Sequence, residues 1–232
     1  MPPFDDALLL AHHPESVASL RRPTAEDPWR ILVSGCLAGL PCGVDGGDYG
    51  LGALLRDMFA ARTARTFPFC PEDVGLGTPR TMPDIHGGDG HDVLAGRARV
   101  LDEHGADLTD GMLRGAHAML AHARIHDVEL AILTDMSAAC GTQVISDGCR
   151  LVPVRRFRAG LGVAAALLVQ NGVKVVAQRD HRTIGALRAI LDPTYVEGEA
   201  AIDHHETPWY LATLGRRAPP LVGDDPPGEK KT

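Results

Sequence analysis

The sequence predicts an α/β fold, with a mainly parallel, Rossmann-like sheet and helices on both faces. Two observations predict it. Short apolar runs such as Ile31-Leu32-Val33 and Leu130-Ala131-Ile132-Leu133 alternate with longer segments of helical periodicity. Glycine and proline punctuate the boundaries, as Gly172 and Pro193 do.

The elements follow in order. Residues 1–28 read as an N-terminal extension, with Arg21-Arg22-Pro23 just before the first strand. Strand 31–34 leads through a Gly-rich loop to a helix near 51–62, with Leu51, Leu54, Leu55 and Met58 on one face. Strand 66–69 opens a long loop carrying Pro71, Pro79, Pro83 and the run Gly87-Gly88-Asp89-Gly90. A short strand is expected near 98–101. Thr109 reads as the N-cap of a helix running to about His126, with Leu113, Ala116, Leu120 and Ala123 as its buried stripe. Strand 129–134 follows. A helix near 161–170 ends at Gly172, a left-handed cap, before strand 173–177. The last helix, near 183–191, stops before Pro193. These boundaries divide the chain into a folded domain over 29–180, a C-terminal helical extension over 181–217 and a disordered tail over 218–232.

Composition narrows the function classes. A hydrophobic content of 44% with 23% charged residues is that of a globular protein, and no apolar run is long enough to span a membrane. The net charge of −7 argues against a general nucleic-acid surface while leaving room for a local contact with a tRNA. The first residues lack a basic start and an apolar signal core, so a cytoplasmic location is expected. Five cysteines in a reducing compartment read as ligands or free thiols rather than disulfides.

Three of those cysteines stand where predicted strands run out: Cys36, Cys70 and Cys140. The C-terminal strand ends of an open α/β sheet share one edge, where ligands bind. The three thiols are therefore expected to converge. Converging thiolates are soft ligands that suit an iron–sulfur cluster or zinc. Their surroundings favour such a role over plain packing. Cys36 lies in Ser34-Gly35-Cys36-Leu37-Ala38-Gly39, where small residues let backbone N–H groups approach the sulfur. Cys70 opens Cys70-Pro71-Glu72-Asp73, which places a carboxylate two residues past the thiol. Cys140 closes Ser137-Ala138-Ala139-Cys140-Gly141.

These segments, in this order, resemble the family once defined only as a domain of unknown function that includes the iron–sulfur 2-thiouracil desulfurases. The likeness also takes in Gly88-Asp89-Gly90-His91-Asp92-Val93-Leu94 and runs from about residue 31 to 178. It implies a [4Fe-4S] cluster held by Cys36, Cys70 and Cys140, with the fourth iron open to the sulfur of a thiolated base. It also implies Glu72 as the acid/base carboxylate and Ser137 as a second catalytic residue. The implied reaction converts a 2-thiouracil-like base to the oxo base without net redox change. The substrate would be a small thiolated base, or the same group carried on a thiolated tRNA. The sequence departs from the family pattern in three places, one of them a loop after Cys70 that is one residue shorter. Gly43-Val44 stand where Arg-Tyr is usual, and Ala138-Ala139 replace Pro-Ser. Other readings of the same thiols are a non-catalytic cluster protein, either redox sensor or sulfur carrier, and a zinc-dependent hydrolase.

The remaining motifs have bland readings beside the sharp ones. Cys42 shares a loop with Cys36 and could ligate in its place, though it has no strand end to fix it, and Cys149 sits in a turn with Gly148. Gly160-Leu161-Gly162-Val163-Ala164-Ala165 matches a dinucleotide fingerprint, yet Arg155, Arg156 and Arg158 precede it instead of an apolar strand. His122 and His126 share a helix face but lack a third metal ligand. Residues 87–92 form a tight turn, read either as a cover over the cysteine site presenting Asp89 or as plain structure. His204-His205-Glu206 with Trp209 and Tyr210 lies outside the matched stretch and reads first as packing.

Overall fold

The computed structural model describes residues 17–48, 60–196 and 201–215. The central sheet has four parallel strands in the order β2-β1-β5-β8. These are β1 (Trp29–Ser34), β2 (Ala64–Phe69), β5 (Leu130–Leu133) and β8 (Lys174–Ala177). Strand β1 pairs with β2 through six residues, Trp29 opposite Ala64 to Ser34 opposite Phe69. Pro68 lacks a ladder donor, and β2 accommodates it as the edge strand.

Side-chain alternation along the strands builds two cores. Ile31, Val33, Leu130, Ile132 and Val176 face one cluster, while Leu32, Ala131, Leu133 and Val175 face the other. Helix α5 (His181–Leu191) covers the first face through Ile184, Leu187 and Leu191. Helices α3 (Thr109–Ile125) and α4 (Val163–Gln170) cover the second. The expected parallel sheet with helices on both faces is the architecture observed.

Four smaller strands have only three residues each, too few to show a period, and of these the sequence indicates only the one near 98–101. Strand β3 (Asp84–His86) pairs antiparallel with β4 (Arg99–Leu101), and β6 (Val144–Ser146) with β7 (Phe157–Ala159). Two short helices also join the fold, α1 (Pro71–Leu76) and α2 (Gly90–Leu94). Helix α3 begins at Thr109, one residue earlier than a Thr109 cap requires, so that Leu108 takes the cap position. Its first N–H donates to Asp107 Oδ1, and the Thr109 hydroxyl accepts from Val100 N–H. The helix expected near 51–62 falls largely outside the described residues, and the tail over 218–232 wholly so.

Beyond α5, a 3-10 turn (His204–Glu206) and helix α6 (Pro208–Leu214) return to the sheet. Asp203 anchors this segment by accepting from Thr183 N–H and the Thr183 hydroxyl at the start of α5. No helix among the described residues is long and apolar enough to cross a membrane.

Candidate active site

Strands β1, β2 and β5 end side by side, and a cavity of about 290 Å³ opens there. Cys36, Cys70 and Cys140 all line it, together with Glu72 and Ser137. The five residues singled out in the sequence are thus gathered in one place. Cys42, the alternative ligand in the Cys36 loop, joins them. The loop after β1 folds back through Leu40 N–H to Gly35 carbonyl and Cys42 N–H to Leu40 carbonyl, burying Cys42 near Cys70. Gly35 lies among these thiols; a Cβ there would sit 3.0 Å from Cys42 Sγ and 3.3 Å from Cys70 Cβ. Cys149 is half-buried and lies outside the cavity lining.

Each thiol has a defined perch. Cys36 sits in the 3-10 turn Gly35–Ala38 that continues β1, with its sulfur 3.0 Å from Thr134 Oγ1. Cys70 is the N-cap of α1, its sulfur accepting from Asp73 N–H at 3.4 Å. Cys140 lies on the turn after β5, and the start of α4 holds that turn. Gly162, Val163 and Ala164 donate their N–H groups to the carbonyls of Gly141, Ala138 and Ala139. These donors would otherwise be orphaned at a helix N-terminus. The second glycine of the dinucleotide-like motif serves this contact: a Cβ on Gly162 would collide with the Ala139 backbone, whereas one on Gly160 would meet Asp89.

Burial pushes the thiols of Cys36, Cys70 and Cys140 up, Cys140 well above the ordinary range. Burial and then the neighbouring Cys70 do the same to Cys42. Thiolates buried together need a compensating cation, and four thiols line this cavity as soft donors. That is the chemistry of a metal–sulfur centre. A single zinc would draw its sulfurs to within about 4 Å of one another, given Zn–S bonds of about 2.3 Å. Among the described residues no three Cys, His, Asp or Glu side chains are grouped to hold one metal ion.

Glu72 is fixed from two sides. Arg80 Nη2 donates to Oε2 at 2.7 Å, and the Ser137 hydroxyl donates to Oε1 at 2.8 Å. The ion pair is buried, its side chains 6% and 11% exposed. Ser137 Oγ in turn accepts from Cys140 N–H at 3.0 Å and Ala139 N–H at 3.2 Å. One hydroxyl therefore ties the carboxylate to the third cysteine turn. Arg80 Nη2 also donates to the Cys42 carbonyl, which links the first loop to the same carboxylate. The Arg80 partnership was not foreseen, although Thr78-Pro79-Arg80 closely follows Cys-Pro-Glu.

The other sequence candidates lie elsewhere. Asp89 caps α2, accepting from His91 and Asp92 N–H, and residues 87–92 do not line the cavity. The turn stands away from the cysteine cavity. His122 and His126 pack against Phe67 and Phe69, with the Phe67 and His126 rings stacked at 4.1 Å. One residue of this region went unnoticed: Asp135, buried in the cavity wall and bonded to His204.

A sheet edge carrying three cysteines, a fixed carboxylate and a cavity defines an α/β protein with a thiol-lined site at its strand ends. The 2-thiouracil desulfurase family model matches residues 31–180. An uncharacterized protein of Bacillus subtilis, YbbK, is 34% identical over 151 residues, covering 65% of this chain and 96% of YbbK. The solved structure of TudS, a [4Fe-4S]-dependent thiouracil desulfidase, is 31% identical with a TM-score of 0.53. The match covers 69% of this chain and 98% of TudS. The chain belongs to the 2-thiouracil desulfurase family.

Proposed function

We propose that this protein removes sulfur from a thiolated nucleobase such as 2-thiouracil, yielding the oxo base and sulfide. Cys36, Cys70 and Cys140 hold a [4Fe-4S] cluster in this reading, as the family and the TudS likeness support. The observation that carries it is the single cavity where three strand-end thiols meet the Arg80–Glu72–Ser137 chain. When bound, the cluster supplies a Lewis-acidic iron toward the thione sulfur, with no net redox change.

The chain's own residues do the rest. Phe69, Pro71, Met82 and Pro83 give the cavity apolar walls for a flat heterocycle. Arg80 and Ser137 each occupy one Glu72 oxygen, leaving a further lone pair on each for a water proton. Glu72 takes a proton from the water attacking the carbon that bears sulfur, and returns one as sulfur departs. Carbon–sulfur exchange for carbon–oxygen then balances as thione plus water giving oxo base plus hydrogen sulfide. Ser137, locked by two N–H groups, holds the carboxylate in register throughout.

The test is anaerobic reconstitution followed by turnover of 2-thiouracil, with iron and sulfide measured in parallel. Glu72→Gln keeps the shape of the site but cannot carry the proton. It should retain iron and lose about 10²–10⁴-fold in rate. An iron-loaded variant at wild-type rate removes Glu72 from the mechanism. A loaded wild type inert on every thiobase and thiolated tRNA overturns the reading in favour of a non-catalytic cluster protein.

A further inference from the structure

Residues 201–215 lie beyond the family-matched stretch, which ends at residue 180, yet one of their side chains reaches the wall of the site. His204 is 3% exposed, and its Nδ1 lies 2.6 Å from Asp135 Oδ2. Asp135 follows β5 directly and lines the cysteine cavity. Its other oxygen, Oδ1, accepts from the N–H groups of Thr142, Gln143 and Val144. Asp135 thereby closes the turn from Ser137 to Gly141 into a ring, with Cys140 inside it. Between Asp135 and Ser137, Met136 is held at φ +63°, a left-handed backbone that a non-glycine residue adopts only under constraint.

Burial would raise the Asp135 carboxyl, but the bonds from His204, Gln143 and Thr142 outweigh it and hold Asp135 ionised. A carboxylate only accepts, so Nδ1 of His204 carries the hydrogen. The histidine is itself locked. Its N–H donates to Asp180 Oδ1, its ring stacks on Trp209 and the Tyr210 ring meets it edge-on.

We propose that His204 is a positioning residue for the reaction: by fixing Asp135 it holds the Ser137–Cys140 turn in register with Cys36, Cys70 and Glu72. The inference rests on the desulfuration reading for its chemistry, and on the Asp135–His204 geometry alone for the positioning. Packing by itself would make any large side chain at 204 adequate. Positioning instead requires the N–H at the place of Nδ1.

The test compares His204→Ala with His204→Asn, whose side-chain N–H falls near the position of Nδ1–H. Amide hydrogen exchange is measured on metal-free protein, and kcat and KM on anaerobically reconstituted protein with 2-thiouracil. In His204→Ala the amides of Ala139, Cys140, Thr142 and Gln143 should exchange faster while those of β1 and β5 hold. The kcat should fall about 10–100-fold, the usual scale for losing an orienting partner. KM should stay within about twofold, because the apolar walls that bind the ring are untouched. His204→Asn should restore both. Unchanged exchange across 139–143, acceleration spread evenly over the protein, or wild-type kcat in His204→Ala would overturn the proposal. An inert wild type with the localised exchange signature would sink the desulfuration reading and leave the positioning role standing.

Discussion

Cys42 enters the site from a loop. It has no strand beneath it, but the backbone turn after Cys36 folds it into the cavity beside Cys70. Four thiols therefore compete for three positions. Cys36 and Cys70 stand within two residues of the ends of β1 and β2, and Cys140 sits on a turn pinned by Asp135 and the start of α4, whereas Cys42 depends on the loop after β1, so the first three form the more rigid set. Serine at any one of them should abolish the cluster absorbance after anaerobic reconstitution. Cys149→Ser should leave it intact, and Cys42→Ser should keep at least most of the iron. Loss of the cluster in Cys42→Ser with retention in Cys36→Ser would reassign the ligand. The three strand-end thiols were legible because strand ends are legible from apolar runs. Glu72 was legible through its place beside Cys70. Arg80 was not, since no periodicity tells which carboxylate a loop arginine will reach. Asp135 stands at a strand end like the cysteines and was open to the same argument, but a lone aspartate there carries no ligand signature.

At the scale of elements, the site depends on how closely α1 approaches α3. Gly75 of α1 faces Gly111 and Gly115 of α3. A Cβ at Gly115 would overlap the Pro71 carbonyl oxygen, and one at Gly75 the Gly111 carbonyl oxygen. The helices touch backbone to backbone, and α1 carries Cys70 at its cap and Glu72 in its first turn. Glycine inside a helix costs about 1 kcal/mol relative to alanine, so close approach must outweigh that loss. Gly115→Ala should therefore destabilise the protein by about 1–3 kcal/mol despite the gain in helix propensity. A lowered urea midpoint with reduced turnover at normal iron content is the expected result. A midpoint at or above wild type would mean that α1 has slack and does not need α3 to seat Glu72. The long elements were readable because apolar spacing over four or more residues has a period. Strands β3, β4, β6 and β7 have three residues each, too few to show one, and only the strand near 98–101 was anticipated. The Gly-Leu-Gly run was visible as a motif, but its partner, the Cys140 turn, is a tertiary fact.

At the scale of the molecule, Asp180 joins the matched domain, the cysteine turn and the C-terminal segment. Its Oδ1 accepts from Gln143 Nε2 and His204 N–H, and its Oδ2 from Ala177 N–H at the end of β8. Burial, and then the charges of Asp203 and Asp135, push its pKa up from 3.8 to about 7, outweighing those N–H bonds. The folded protein therefore binds this proton more tightly than the unfolded chain does. Its stabilising contribution is complete below pH 3.8 and is lost as pH rises through about 7. At 1.36 kcal/mol per pKa unit the loss is on the order of 4 kcal/mol. Asp180→Asn cannot ionise, so it removes this dependence. It keeps the amide oxygen for Gln143 and His204 but turns an N–H toward Ala177, at a pH-independent cost of about 1 kcal/mol. Denaturant titrations between pH 4.5 and 8.5 should show the variant gaining on the wild type as pH rises, with the difference levelling off above pH 8. A difference that stays flat across that range would mean that Asp180 is already ionised at pH 4.5, with the N–H groups of Ala177, Gln143 and His204 sufficient to hold its charge between the cysteine turn and the C-terminal segment.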